Sequence, residues 1–344
     1  MRHSLRTLLV LSACLVSLGG GPGPATAQEQ PLVKLATAAP DGSSWHQILK
    51  EMGEKWRKAP GGGVNLRIYA GGVLGDEPDA VRKMRVGQIQ AAALTTVGLS
   101  DIDKSVAALQ IPMMFRSWEE LDHVREKIRP ALERRLEEKG FVVLNWGDAG
   151  WVTFFAKEPF SRPDDLRGMK LFVWAGDNDA VDLWKAAGFR PVPLASTDIL
   201  PGLQTGLINA FSTTPLLALS SQWFGLAPHM LDLRWAPLVG ATVITKRAWE
   251  AIPTAAREAV RTAAEEAGGR LKGEIRAANE KAIGAMKKRG LILHPVPPEV
   301  ESEWRRAAEG IYPRIRGVLI PAEIFDEVRR LRDEYRASSD RPAP

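Results

Sequence analysis

The stretch that decides the fold runs from Phe160 to Gly176, FSRPDDLRGMKLFVWAG, and resumes from Trp184 to Pro215 as WKAAGFRPVPLASTDILPGLQTGLINAFSTTP. Pro163 and the Asp164/Asp165 pair open a turn, Gly168 interrupts the chain, and Met169 to Trp174 is a short run rich in β-favouring residues. Gly188 and Pro191 then punctuate a helical segment before another extended one. The order is turn, strand, helix, strand, helix, strand, and that alternation predicts a two-layer α/β unit.

Working outward, the same punctuation recurs. Val33 to Ala39 reads as a strand, and Pro40-Asp41-Gly42-Ser43 starts a helix with Trp45, Ile48, Leu49, Met52 and Trp56 at helical spacing. Val64 to Tyr69 alternates as a strand, Gly71 to Gly75 turn into a further helix, and Gln90 to Thr95 is a third strand. Ser117 to Lys139 is a long amphipathic helix stopped by Gly140, and Phe141 to Trp146 and Thr242 to Thr245 are strands. Asp148-Ala149-Gly150 is the expected crossing between two lobes, since glycine permits the dihedral changes of a hinge. Pro253 to Lys288 is Ala/Glu/Lys/Arg-rich with no internal proline; at 1.5 Å per residue such a helix reaches roughly 50 Å, enough to lie across two lobes. Gly268-Gly269 is the place where it would bend.

The N-terminus sets the compartment. Arg2 and Arg6 precede the apolar run Leu8 to Leu18, a GGGPGP segment follows, and Ala25-Thr26-Ala27 has the small-residue cleavage pattern, so residues 1–27 read as a secretory leader and the mature chain begins at Gln28. The apolar run is shorter than the ~20 residues of a membrane span. Leu11-Ser12-Ala13-Cys14 also fits lipoprotein processing, which leaves anchoring through Cys14 as the alternative. Cys14 is the only cysteine in 344 residues, so a chain cut after Ala27 has no disulfide, thiol nucleophile or cysteine metal site. The net charge of +5 is interspersed along helical faces such as EELDHVREKIRPALERRLEEKG, which speaks against nucleic acid.

Eleven tryptophans against three tyrosines hint at an aromatic pocket. Enzyme readings find little support. His46, His123, His229 and His294 are widely separated, and no H-E-x-x-H, G-x-S-x-G, P-loop or dinucleotide fingerprint occurs, so no cofactor is implied. Asp76-Glu77 and Asp177/Asp179 are candidate carboxylate pairs, although helix N-termini explain acidic residues equally well.

Gly71-Gly72-Val73-Leu74-Gly75-Asp76-Glu77, Leu109 to Phe115, Arg162 to Lys170, Gly188 to Pro193 and Leu203-Gln204-Thr205-Gly206 are weak motifs singly but specific in their order and spacing. In these the chain resembles the DctP-like solute-binding proteins of tripartite ATP-independent periplasmic (TRAP) transporters, over nearly the whole mature sequence. The resemblance implies an α/β fold of two lobes with hinge strands and a long spanning helix, and an exported periplasmic protein peripheral to the membrane that delivers a small organic solute to TRAP-type membrane subunits. Lobe I is then residues 28–148 plus about 235–270 and lobe II 149–234 plus about 271–337, with a disordered tail at 338–344. A periplasmic sensor for a signalling partner, or an unrecognised periplasmic enzyme, are the alternatives.

The departures bear on specificity. Where much of the family carries a carboxylate-clamping arginine after the Gly-Met-Lys segment, this chain has Phe172, and a second arginine position holds Val152. Arg234 and Arg116 are the candidate replacements. Phe172 and Trp174 share one face of a strand at period two. The resemblance implies a pocket drawn from Trp45, Asp76, Thr95, Trp146, Trp151, Val152, Phe172, Trp174, Thr213, Thr214 and Trp235, with Thr96 beside Thr95, for a ligand more apolar or aromatic than a C4-dicarboxylate. That most of the tryptophans pack the two cores stays open at this point.

Overall fold

The computed structural model describes residues 30–339; the leader, Cys14 and residues 340–344 lie outside the described residues. Strands β1 (Leu32–Thr37), β2 (Asn65–Tyr69), β3 (Ala91–Thr95), β4 (Phe141–Ala156), β5 (Lys170–Trp174), β6 (Arg190–Leu194), β7 (Ala210–Thr213), β8 (His229–Leu231), β9 (Ala236–Thr245) and β10 (Ile292–His294) are set among helices. These are α1 (Ser44–Arg57), α2 (Glu77–Arg85), α3 (Thr96–Ile102), α4 (Trp118–Glu138), α5 (Pro163–Arg167), α6 (Asn178–Ala186), α7 (Ile199–Thr205), α8 (Pro215–Ser220), α9 (Lys246–Ala251), α10 (Thr254–Lys287), α11 (Pro298–Ile315) and α12 (Ala322–Ser339).

The strands follow the order β2-β1-β3-β9-β4-β7-β5-β6. In the first lobe β2, β1 and β3 are parallel, and β9 runs antiparallel between β3 and β4. In the second, β6, β5 and β7 are parallel and the last four residues of β4, Thr153 to Ala156, run antiparallel to β7. A single strand, β4, therefore belongs to both sheets. The period-two alternation of a strand fills a core on either face. In β3, Ala91 and Ala93 pack beneath α1 and α10 while Ala92 and Leu94 pack against α2, α3 and the end of α4. In the second lobe Phe154, Leu171 and Ala210 face one core and their neighbours Phe155, Phe172 and Phe211 the other.

The strand runs on through the crossing expected at 148–150 and passes from β9 to β7 only at Val152/Thr153. Register shifts between Val143 and Asn145 and between Asp148 and Gly150 let β4 bend without breaking, and Gly150 takes φ 127°, a conformation that excludes side chains. The long helix α10 is continuous through Gly268-Gly269. Gly268 serves close packing rather than a bend: a Cβ there would lie 2.7 Å from Asn145 Cβ and 2.8 Å from the Trp146 carbonyl. Helix α10 joins the lobes through its apolar stripe, with Val260, Ala264 and Leu271 in the first core and Met286 in the second.

Helix α12 packs away from lobe II, where the sequence boundaries put it. Its stripe of Ile324, Phe325, Val328 and Leu331 lies with Leu121, Val124 and Leu132 of α4, whereas α11 places Val300, Trp304 and Ala308 in the second lobe. Ser338 and Ser339, read as tail, are the last residues of α12.

Behind the bend, Arg125 is 2% and Asp148 0% exposed, and Arg125 Nη1 donates to Asp148 Oδ1 at 2.6 Å. Arg276 of α10 donates to the other oxygen at 2.7 Å and, with Lys272 and Arg125, to Asp122. Burial alone would raise the Asp122 pKa, but the bonds from Arg276 and Lys272 hold it below the usual carboxylate range. Asn279 of α10 donates to the Ala149 carbonyl at 2.9 Å and accepts from the Leu216 amide at 3.0 Å, tying β4 to α8.

Candidate functional site

Among the cavities between the lobes, two adjoin each other. The first, of about 260 Å³, is lined by Val152, Phe172, Trp174, Thr213 and Trp235 from the second lobe and its junction, and by Thr96, Lys104 and Gln110 from the first. The second, of about 310 Å³, is lined by Trp45, Asp76, Thr95 and Thr214, among others. Val97, Trp174 and Leu238 line both, so the two are compartments of one cleft with the Trp174 indole between them.

Nine of the eleven residues implied for the pocket are thus brought to the cleft. Trp146 and Trp151 are not. Trp146 Nε1 donates to Glu133 at 2.8 Å and its ring packs in the first lobe's cores; Trp151 stands 4.9 Å from Trp118, beneath Arg234. Adjacent residues on β4 point to opposite faces, so Val152 reaches the cleft and Trp151 turns away. Neither candidate arginine lines either of these two cavities: Arg234 donates to the Arg116 carbonyl at 3.2 Å and lies over the Trp151 ring.

Local chemistry holds the walls. Ser43 caps α1 by accepting the His46 amide at 3.3 Å, which puts Trp45 in the first turn at the cleft while Ile48, Leu49, Met52 and Trp56 go to the core. Glu77 accepts from the Thr95 amide at 2.9 Å, the Thr95 hydroxyl at 2.8 Å and the Gly98 amide at 2.9 Å, so its carboxylate braces the β3–α3 turn. Desolvation raises the Glu77 pKa against those donors. Phe172 and Trp174 do share a face, with centroids 4.9 Å apart in an edge-on pair. Phe172 is only 2% exposed, its ring being part of the core with Phe155 and Ile199, so the stacking surface offered to a solute is that of Trp174.

The candidate carboxylate pairs are accounted for individually. Asp76 Oδ1 accepts the Ser196 hydroxyl at 2.7 Å, and Asp179 is bridged by Lys104 at 2.8 Å; both contacts cross the cleft. Asp177 caps α6 by accepting the Ala180 amide at 3.0 Å. Sequence reasoning missed Ser196, Lys104 and Trp184 as cleft residues, since nothing in their local pattern marks them.

The geometry is that of a cleft walled by two lobes, and residues 35–316 match the model of bacterial extracellular solute-binding protein, family 7. The chain belongs to that family. Similar proteins include a solute-binding protein of Chromohalobacter salexigens, 27% identical over 73% of this chain and 72% of the relative. The C4-dicarboxylate-binding periplasmic protein DctP of Rhodobacter capsulatus is 23% identical over 76% of this chain and 79% of its own length. A crystal structure of a TRAP periplasmic solute-binding protein from Chromohalobacter salexigens with bound D-glucuronate superposes with a TM-score of 0.80 at 21% identity, covering 88% of this chain and 99% of that one. The two-lobed α/β fold that the resemblance implied is the fold observed.

Proposed function

We propose that this chain is the extracytoplasmic solute-binding subunit of a TRAP transporter: exported to the periplasm, it captures a small organic solute between its lobes and passes it to membrane subunits without transforming it. The observation that carries this reading is a cleft walled by residues of both lobes and bridged by Asp76 to Ser196. Solute contacts shared by two lobes stabilise the closed form by their differential affinity, which is what a membrane partner reads. No helix among the described residues is long and apolar enough to cross a membrane, in keeping with a peripheral subunit.

The solute is less anionic and more apolar than a C4-dicarboxylate. Phe172 and Val152 line the first cavity at the positions where the resemblance places guanidinium groups, and a charge-assisted hydrogen bond lost there removes about 1.5–3 kcal/mol from carboxylate binding. Identification of small molecules released from natively purified protein, followed by X-ray scattering with and without the recovered compound, tests the function. A more compact bound form is expected. A recovered compound that leaves the profile unchanged would refute capture by closure.

A further inference from the structure

Resting on that reading, the charge of the solute can be inferred from the cleft. Its walls carry four carboxylates, Asp76, Glu77, Asp177 and Asp179, against one cation, Lys104. Three are committed: Glu77 to the Thr95 turn, Asp76 to Ser196 and Asp179 to Lys104. Asp177 accepts the Ala180 amide on Oδ1 and forms no salt bridge among the described residues. Desolvation, then the neighbouring Asp179 charge, pushes its pKa up.

Asp177 follows Trp174 in one tight turn, its amide donating to the Trp174 carbonyl at 3.2 Å, and it shares the first cavity with Phe172, Trp174, Trp184 and Trp235. A second, independent observation lies on the opposite wall. Thr96 is 3% exposed, lines the same cavity, and its hydroxyl has no hydrogen-bond partner among the described residues. A buried hydroxyl left unpaired costs about 1–3 kcal/mol, so a cavity that keeps one is shaped for a polar group from outside the chain.

Within these two compartments an organic anion would meet carboxylates on both sides of Trp174 and, as the one cation, a Lys104 already bridged to Asp179. An ammonium group, by contrast, is attracted both by a carboxylate and by the face of an indole. We propose that the solute carries a cationic nitrogen seated between the Asp177 carboxylate and the Trp174 ring, with the Thr96 hydroxyl bonded to a polar group beside it.

The test is calorimetry on the purified full chain with choline, glycine betaine and putrescine, with 3,3-dimethylbutan-1-ol as the uncharged carbon analogue of choline, and with succinate and D-glucuronate. An ammonium compound binds, the uncharged analogue binds about tenfold more weakly or worse, and Asp177→Asn lowers the ammonium affinity about ten- to a hundredfold. Asparagine preserves the cap on α6, and the melting temperature of the empty variant verifies its fold. Silence of all three ammonium compounds at millimolar concentration overturns the proposal. So does binding of succinate or glucuronate that Asp177→Asn leaves unchanged, but that result keeps the solute-binding function, and scattering without compaction on the solute that binds would count against capture by closure, not against binding.

Discussion

Asp76 and Ser196 stand on different lobes, 120 residues apart in sequence, and the Ser196 hydroxyl donates to Asp76 Oδ1 at 2.7 Å across the mouth of the cleft. Asp76 begins α2 without capping it, so its carboxylate is free to reach the other lobe. Gly72 lies close beneath, where a Cβ would be 3.4 Å from the Ser196 hydroxyl, and the turn at Gly176 approaches Pro78. Ser196→Ala is expected to weaken solute affinity by about 1 kcal/mol, or roughly fivefold, and Asp76→Ala by a similar amount. The double variant should cost little more than either single one, because both remove the same contact. Calorimetry on the three variants checks this.

Gly150 at the bend of β4 has φ 127°, and a Cβ there would meet the Asn279 amide at 2.6 Å. Gly150→Ala therefore strains the backbone and displaces the side chain that ties the Ala149 carbonyl to α8. A loss of about 2–4 kcal/mol in urea unfolding is expected. Gly269→Ala, where nothing lies within 4 Å, is the control and should be neutral or slightly stabilising in a helix.

Asp148→Asn leaves Arg125, 2% exposed, facing only Asp122 and no longer balanced in the interior. Breaking a buried pair by removing one partner costs about 3–5 kcal/mol. The Asp148→Asn, Arg125→Met pair should recover part of that loss, which equilibrium denaturation of the single and double variants measures.

His229 Nδ1 and His294 Nε2 are 2.8 Å apart where β8 meets β10. Burial, then the charge of His229, lowers the His294 pKa below 6.5. The folded state thus binds fewer protons than the unfolded state near that pH, so stability is full above 6.5 and declines as pH falls through it. The melting temperature should drop between neutral and mildly acidic pH, and His294→Gln should flatten the drop; an equal slope in that variant would remove His294 as the cause.

Much of the architecture was legible because it is local. Ser43 before an apolar 3.6-period stripe, Gly140 after a charged helix and the alternation in FSRPDDLRGMKLFVWAG each act within a few residues, through caps, turns and side-chain period. The sequence shows a strand only to Trp146 and a lobe crossing at Asp148-Ala149-Gly150, and only pairing with β9 shows that the strand continues through a bulge. Gly268 was read as flexibility for the same reason: whether a glycine bends a helix or admits a neighbour depends on what lies against it, here Asn145 and Trp146.

For the site, residue type and period determined that Phe172 and Trp174 share a face, and the resemblance implied that Val152 and Phe172 stand where the family carries arginine. Which tryptophans reach the cleft was decided by the tertiary structure. On β4, Val152 lines it while Trp151 packs against Trp118, because one residue of strand register reverses a side chain and register is set by partners far away in sequence; Trp45 reaches it from the first turn of α1 and Trp235 from the segment before β9. The same holds for charge: composition counted carboxylates, but only the fold pairs Asp179 with Lys104 and Asp76 with Ser196 and leaves Asp177 beside Trp174, since Coulomb and hydrogen-bond energies depend on separations that the linear chain does not contain.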